Sequence, residues 1–227
     1  MADLWSTLVP LILGGALVPI QIIVTILLLR SAAGKWTAIA WVAGMSAVRL
    51  AQGAVFGVIL SSSQAEADST DDSSIIVSTL LLVVAVLFLV TALRQLFADD
   101  DADGAPPKWL QSMASMTPMK AFFLGAGLLA IGAKFWVFTL GAISAIGEAD
   151  IGRPASILTY LAFVVLSVSV NLALIGVEVL VPSRADALLD RASEWLTRHN
   201  RVIMMVIGFV FGTWFMVKAL DGLGVIG

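Results

Sequence analysis

Apolar residues run along the chain in six stretches, each closed by a polar or charged cluster. A stretch of about 20 residues, rising 1.5 Å per residue, is what a helix needs to cross a hydrocarbon core of about 30 Å. The pattern predicts spans over residues 8–29, 36–60, 75–93, 119–146, 155–181 and 201–220. Arg30, Ser31 and Lys35 close the first span. The second is followed by Ser61–Ser74, a polar loop with four carboxylates. The third is the most uniformly rich in valine and leucine and is predicted to face lipid. A hydrophilic loop over Ala98–Pro118 precedes the fourth span, and Gly147–Pro154 makes a short turn after it. Within Ser183–Asn200, residues Leu188, Leu189, Ala192, Trp195 and Leu196 fall on one helical face, so this segment is predicted to be an amphipathic interfacial helix. Pro182 blocks continuation of the fifth span. Ser183 with Asp186 reads as a capping box for the new helix.

Three spans, a hydrophilic loop and three more spans describe two halves of one membrane domain over residues 1–227. Three is odd, so the second half enters the membrane from the other side. The fold class predicted is an all-α integral membrane protein with six transmembrane helices in two inverted three-helix repeats. Laying Val18–Leu29 against Gly132–Ile143 sets Pro19 opposite Ala133 and Ile20 opposite Lys134. Both segments thereby place their irregular or polar point at mid-span, where transporter sites form.

Composition supports the membrane class: 59% of the 227 residues are hydrophobic and 13% charged, against roughly 25% charged in soluble domains. The net charge of −3 gives no basic face for nucleic acid. Cysteine is absent, which excludes disulfides and thiolate metal sites. The N-terminal segment carries Asp3 and no basic residue, unlike the start of a signal peptide, so the first span is expected to be retained. Nine basic residues, Arg30, Lys35, Arg94, Lys108, Lys120, Arg184, Arg191, Arg198 and Arg201, follow the odd-numbered spans. Only Arg153 and Lys218 lie on the opposite side. The positive-inside rule then puts both termini outside the cytoplasm.

Polar residues inside the spans carry the candidate chemistry, because a charge in hydrocarbon is costly unless it faces other helices or water. Lys134 is the sole ionisable residue between Lys120 and Glu148 and sits at the middle of its span. Arg49 lies in the second span with Gln52 and Gly53 within a turn. Gln21 and Thr25 follow Pro19, which is predicted to break the first helix. In the fifth span Ser167, Asn171 and Glu178 make one polar stripe. Lys134, Arg49, Gln52, Asn171 and Gln21 are the candidate substrate-binding residues, and Glu178 is the candidate proton carrier. Interhelical hydrogen bonding accounts equally well for Gln21, Thr25 and Asn171, and snorkelling to the interface for Glu178. Gly53 with Gly57, and Gly208 with Gly212, form GxxxG pairs suited either to packing within the subunit or to a homodimer. The acidic run Asp99–Asp103 lacks the spacing of a calcium loop, and His199 is the only histidine. No catalytic set or nucleotide-binding motif is present, so neither an enzyme nor a cofactor is expected.

The segments Pro107–Trp109 (PKW), Thr117–Phe122 (TPMKAF) and Arg198–Met204 (RHNRVIM) resemble the GAP-like family, which includes the glycopeptidolipid-addressing and sulfolipid-addressing proteins of mycobacteria. The likeness covers nearly the whole chain. It implies membership of the lysine exporter (LysE) superfamily and an actinobacterial inner-membrane transporter that exports a lipid or glycolipid to the cell surface. On that footing Lys134 and Arg49 would hold an anionic head group, with membrane lipids and a lipid-biosynthesis or export protein as partners. A small-solute exporter for amino acids or ions, and a non-transporting accessory subunit, are the alternative readings. Family members commonly show Asn-Pro-Lys in the fourth span, where this chain has Gly132, Ala133 and Lys134. The lysine is kept and the proline is not, which leaves a continuous and a broken fourth helix both open.

Overall fold

In the computed structural model, residues 2–66, 70–97 and 112–225 are described, and all regular structure among them is helical. In chain order the α-helices are α1 (Ala2–Ala16), α2 (Pro19–Leu29), α3 (Lys35–Glu66), α4 (Thr70–Phe97), α5 (Pro118–Ile131), α6 (Ala133–Glu148), α7 (Arg153–Ser167), α8 (Ser169–Leu180) and α9 (Pro182–Gly222). A 3₁₀ turn, Ser112–Ser115, precedes α5. The stretches Lys35–Gly57 and Ala187–Gly222 are each long and apolar enough to cross a membrane alone. Three bent pairs, α1/α2, α5/α6 and α7/α8, bring the candidates to as many as five if each pair is one span. The described apolar part of α4, Ala85–Phe97, is shorter. The acidic run Asp99–Asp103 and the PKW segment lie outside the described residues.

Several predicted boundaries are corrected. The acidic loop Ser61–Ser74 is largely helix, since α3 runs to Glu66 and α4 starts at Thr70. The predicted amphipathic helix and sixth span are one helix, α9, which starts at Pro182 rather than after a Ser183 cap. The side chain of Asp186, needed for the expected capping box, lies outside the described ones. An α-helix satisfies its own backbone in water as in lipid, so a change from apolar to polar sequence marks where a helix leaves the membrane, not where it ends. In the first part of α9, Ala185, Leu189 and Leu196 are buried, whereas Leu188 and Trp195 are exposed.

The helices fall into two compact units, residues 1–53 with 100–200 and residues 54–99 with 201–227. In the first, α1 packs against α6 and α7, and α2 against α8. Close backbone approach joins α3 to α5. A Cβ on Gly44 would fall on the Phe122 carbonyl, and one on Gly125 would fall on the Trp41 carbonyl, so each helix supplies the glycine the other needs. At the end of α2, Arg30 pairs with Asp190 of α9 at 2.5 Å.

In the second unit, Gly208 and Gly212 of α9 face Phe88, Leu89 and Ala92 of α4. The Phe88 ring meets those of Phe211 and Phe215 at centroid distances of 6.5 and 6.1 Å. This GxxxG pair therefore serves packing within the subunit. Arg201 donates from Nε to the Gln95 carbonyl (2.7 Å) and from Nη2 to that of Leu96 (3.1 Å), which places a cation on the negative end of α4. Val83, Val86, Leu87, Val90 and Leu93 of α4 are exposed, the face expected to meet lipid.

Candidate functional site

Three helix breaks shape the first unit, and two of them follow from the residue at the break. Pro19 starts α2 after Val18, bending the pair by 49°. It has no N–H to offer the Gly15 carbonyl four residues back and its ring crowds that carbonyl. The second break, with a 70° bend, falls at Gly132, whose ψ of 88° is not helical. No proline is needed there, because a Cβ on Gly132 would meet the Leu128 carbonyl and the Phe135 ring. The freed carbonyls are instead satisfied by a side chain: the Trp136 indole N–H lies 3.0 Å from the Leu129 oxygen and 3.1 Å from that of Ala130. The third break, at Val168, bends α7 from α8 by 57°. The sequence pattern had given one helix across 155–181.

Around these breaks the structure gathers buried polar side chains. Gln21, Thr25, Arg49, Gln52, Thr139, Ser167 and Asn171 are all buried. Thr25 Oγ1 lies 2.8 Å from both the Gln21 carbonyl oxygen and Asn171 Oδ1, so its single proton joins α2 to itself or to α8. The Gln21 side-chain amide and Asn171 Nδ2 have no hydrogen-bond partner among the described residues. Arg49 is 1% exposed, and none of its three guanidinium nitrogens has a hydrogen-bond partner among the described residues. Its guanidinium lies beside Gly15 of α1 and Ser167 of α7: a Cβ on Gly15 would be 3.2 Å from Arg49 Nη2 and 3.5 Å from Ser167 Cβ. The Phe163 ring covers it, 5.9 Å from Arg49 Cζ, a cation–π distance.

Tyr160 fixes the Arg49 backbone. Its hydroxyl donates to the Arg49 carbonyl at 2.5 Å, and its ring occupies the space a side chain at residue 53 would need. Tyr160 also stacks on Phe163, with centroids 5.9 Å apart. Arg49 therefore sits beside the negative ends of α1 and α7, two of the helix termini that the breaks create, with the positive end of α8 starting just beyond Ser167. Gln52, also on α3 and three residues on from Arg49, is buried with Nε2 unpartnered.

Arg49, Gln52, Gln21 and Asn171, all expected from the sequence, are thus buried polar residues of one unit, and Pro19 marks a break as expected. Glu178 is half-buried and lies near the C-terminal end of α8, the end away from the Val168 break. The backbone of Lys134 lies in the first turn of α6, directly after the Gly132 break; its side chain is outside the described ones. Sequence reasoning missed Gly15, Tyr160 and Phe163, since single glycines and aromatic residues are ordinary in apolar helices.

A family model described as "Sap, sulfolipid-1-addressing protein" (SfLAP) matches residues 8–221. The chain belongs to the SfLAP family. The match takes in all three breaks and every residue of the buried polar set, and it bears out the resemblance carried by the TPMKAF and RHNRVIM segments. The comparisons with curated proteins and with solved structures return no match. At the level the family supports, this is a sulfolipid-addressing membrane protein whose buried polar residues collect at broken helices.

Proposed function

We propose that the protein moves a lipid or glycolipid with an anionic head group from the inner membrane toward the cell surface, as a non-enzymatic transporter of the lysine-exporter type. The carrying observation is Arg49, a buried guanidinium with three unpartnered nitrogens held beside a helix break. Arginine remains charged in proteins and prefers planar oxyanions such as sulfate, phosphate and carboxylate. The family description names a sulfolipid, which carries such a group.

The proposed architecture is six spans in two inverted repeats with both termini outside the cytoplasm. In the alignment of Val18–Leu29 with Gly132–Ile143, the capping residues of the two breaks, Val18 and Gly132, coincide. Two buried threonines, Thr25 and Thr139, coincide as well. Lys134 is proposed as a second cationic ligand and Glu178 as the proton carrier. Proton-driven uptake by Glu178→Gln that equals wild type in reconstituted vesicles would remove Glu178 from that role.

One observation favours the second reading, export of a small solute such as an amino acid or ion: Gln21, Thr25, Arg49, Ser167 and Asn171 are closed off from the surface. Native mass spectrometry with lipid extraction separates the two. Wild type should retain an anionic lipid that Arg49→Ala and Lys134→Ala both lose. Equal retention by all three excludes the head-group site and shifts the assignment to a small-solute exporter or an accessory subunit.

A further inference from the structure

A buried guanidinium requires a counter-charge, and no described carboxylate gives one to Arg49. Arg30 pairs with Asp190, and Arg198 with Glu194. The negative ends of α1 and α7, at Gly15 and Ser167, compensate in part, and the positive end of α8, which begins just beyond Ser167, opposes them. The unpaired groups at this buried place are the Arg49 nitrogens, with Asn171 Nδ2 on the adjoining turn, while Gln21 leaves both Nε2 and Oε1 unpaired. Ser167 Oγ, also unpaired, adds a hydroxyl that can donate. Ser167, beside the guanidinium, is fully buried, as are Gln21 and Asn171 of the same unit. An occupant of this arrangement is small, carries one negative charge to match one guanidinium, and needs only to accept.

We propose that in this closed arrangement Arg49 holds a small monovalent inorganic anion, chloride being the abundant one, which the anionic head group displaces when the site opens. The proposal rests on the preceding reading for the place of the site, and it adds what neutralises that site between cargoes. Exchange of one anion for another keeps Arg49 paired at every step, so the protein never has to bury a bare charge in a low-dielectric interior. Gly15 belongs to the device because a side chain there would crowd Nη2.

The test uses the full chain purified in detergent. Chloride binding is measured by equilibrium dialysis with radioactive chloride, and thermal stability is compared in chloride and gluconate at equal ionic strength. Wild type should bind about one chloride per chain saturably, melt higher in chloride, and release the ion to methyl sulfate. Arg49→Met should bind none and melt identically in both salts, and Gly15→Ala should bind at least tenfold more weakly. Should Arg49→Met not fold, the wild-type salt comparison and methyl sulfate competition decide alone. No saturable binding and equal melting of wild type in both salts overturns the proposal, as does chloride binding that survives in folded Arg49→Met. Lipid retention measured on the same samples separates the two readings. Retention without chloride binding leaves the head-group site and removes the exchanged anion. Chloride binding through Arg49 with no lipid retained does the reverse.

Discussion

At the scale of single residues, Arg49 sets a conflict between stability and use. Replacing buried charged groups with apolar side chains of similar volume is often stabilising, by about 1 to 4 kcal/mol. Arg49→Met should therefore melt above wild type in gluconate, where no tightly held anion offsets the buried charge, while losing lipid retention. A lower melting point in gluconate would mean that the guanidinium has protein partners of real strength. Tyr160 acts at one remove. Tyr160→Phe deletes the hydrogen bond to the Arg49 carbonyl, worth about 0.5 to 1.5 kcal/mol, and should lower the melting temperature and weaken lipid retention while leaving the fold intact. Retention unchanged in Tyr160→Phe would show that the bond serves packing alone. Arg49, Gln21 and Asn171 were legible in the sequence because a polar side chain amid apolar residues is costly in lipid. Tyr160, Phe163 and Gly15 were not, because their part in the site is a matter of shape.

At the scale of helices, hydropathy reported immersion and was silent on continuity. It drew boundaries inside α3 and α9 where the backbone runs on, and it passed over the breaks at Gly132 and Val168, which need only a glycine with a crowded Cα or a local departure from helical ψ. Only Pro19 announced its break by residue type. The Gly132 break yields a sharp expectation. Ala133 is the first residue of α6, the position where proline's missing N–H matters least. Gly132 before it, at ψ 88°, lies outside the helical region that a following proline disfavours. Ala133→Pro should thus be tolerated and may be compared directly with Ala142→Pro, which sits inside α6 and is buried. Thermal melting should place Ala133→Pro level with wild type or above it by about 0.4 to 1 kcal/mol. Ala142→Pro should cost about 3 kcal/mol or more. Equal damage from both would mean that the fourth segment is continuous in the membrane.

At the scale of the whole molecule, the question is whether each bent pair crosses the bilayer or dips in and returns. Length and composition allow either for α7/α8, whose 57° bend falls at Val168. The charges argue for crossing: Arg153 stands alone at the start of α7, whereas Arg184, Arg191, Arg198 and Arg201 follow α8, the asymmetry expected across a membrane. Within the first unit the end of α2 and the start of α9 share one side, since Arg30 reaches Asp190. The absence of cysteine from the natural chain gives labelling a clean background. Glu148→Cys, ahead of α7, and Ala187→Cys, beyond α8, occupy exposed positions on either side of the pair. In intact cells a membrane-impermeant maleimide should label Glu148→Cys and reach Ala187→Cys only after permeabilisation. The reverse result would invert the orientation and keep the crossing. Labelling of both from outside would make α7/α8 a re-entrant hairpin and leave the second half with two crossings in place of the three that a repeat of the first half requires.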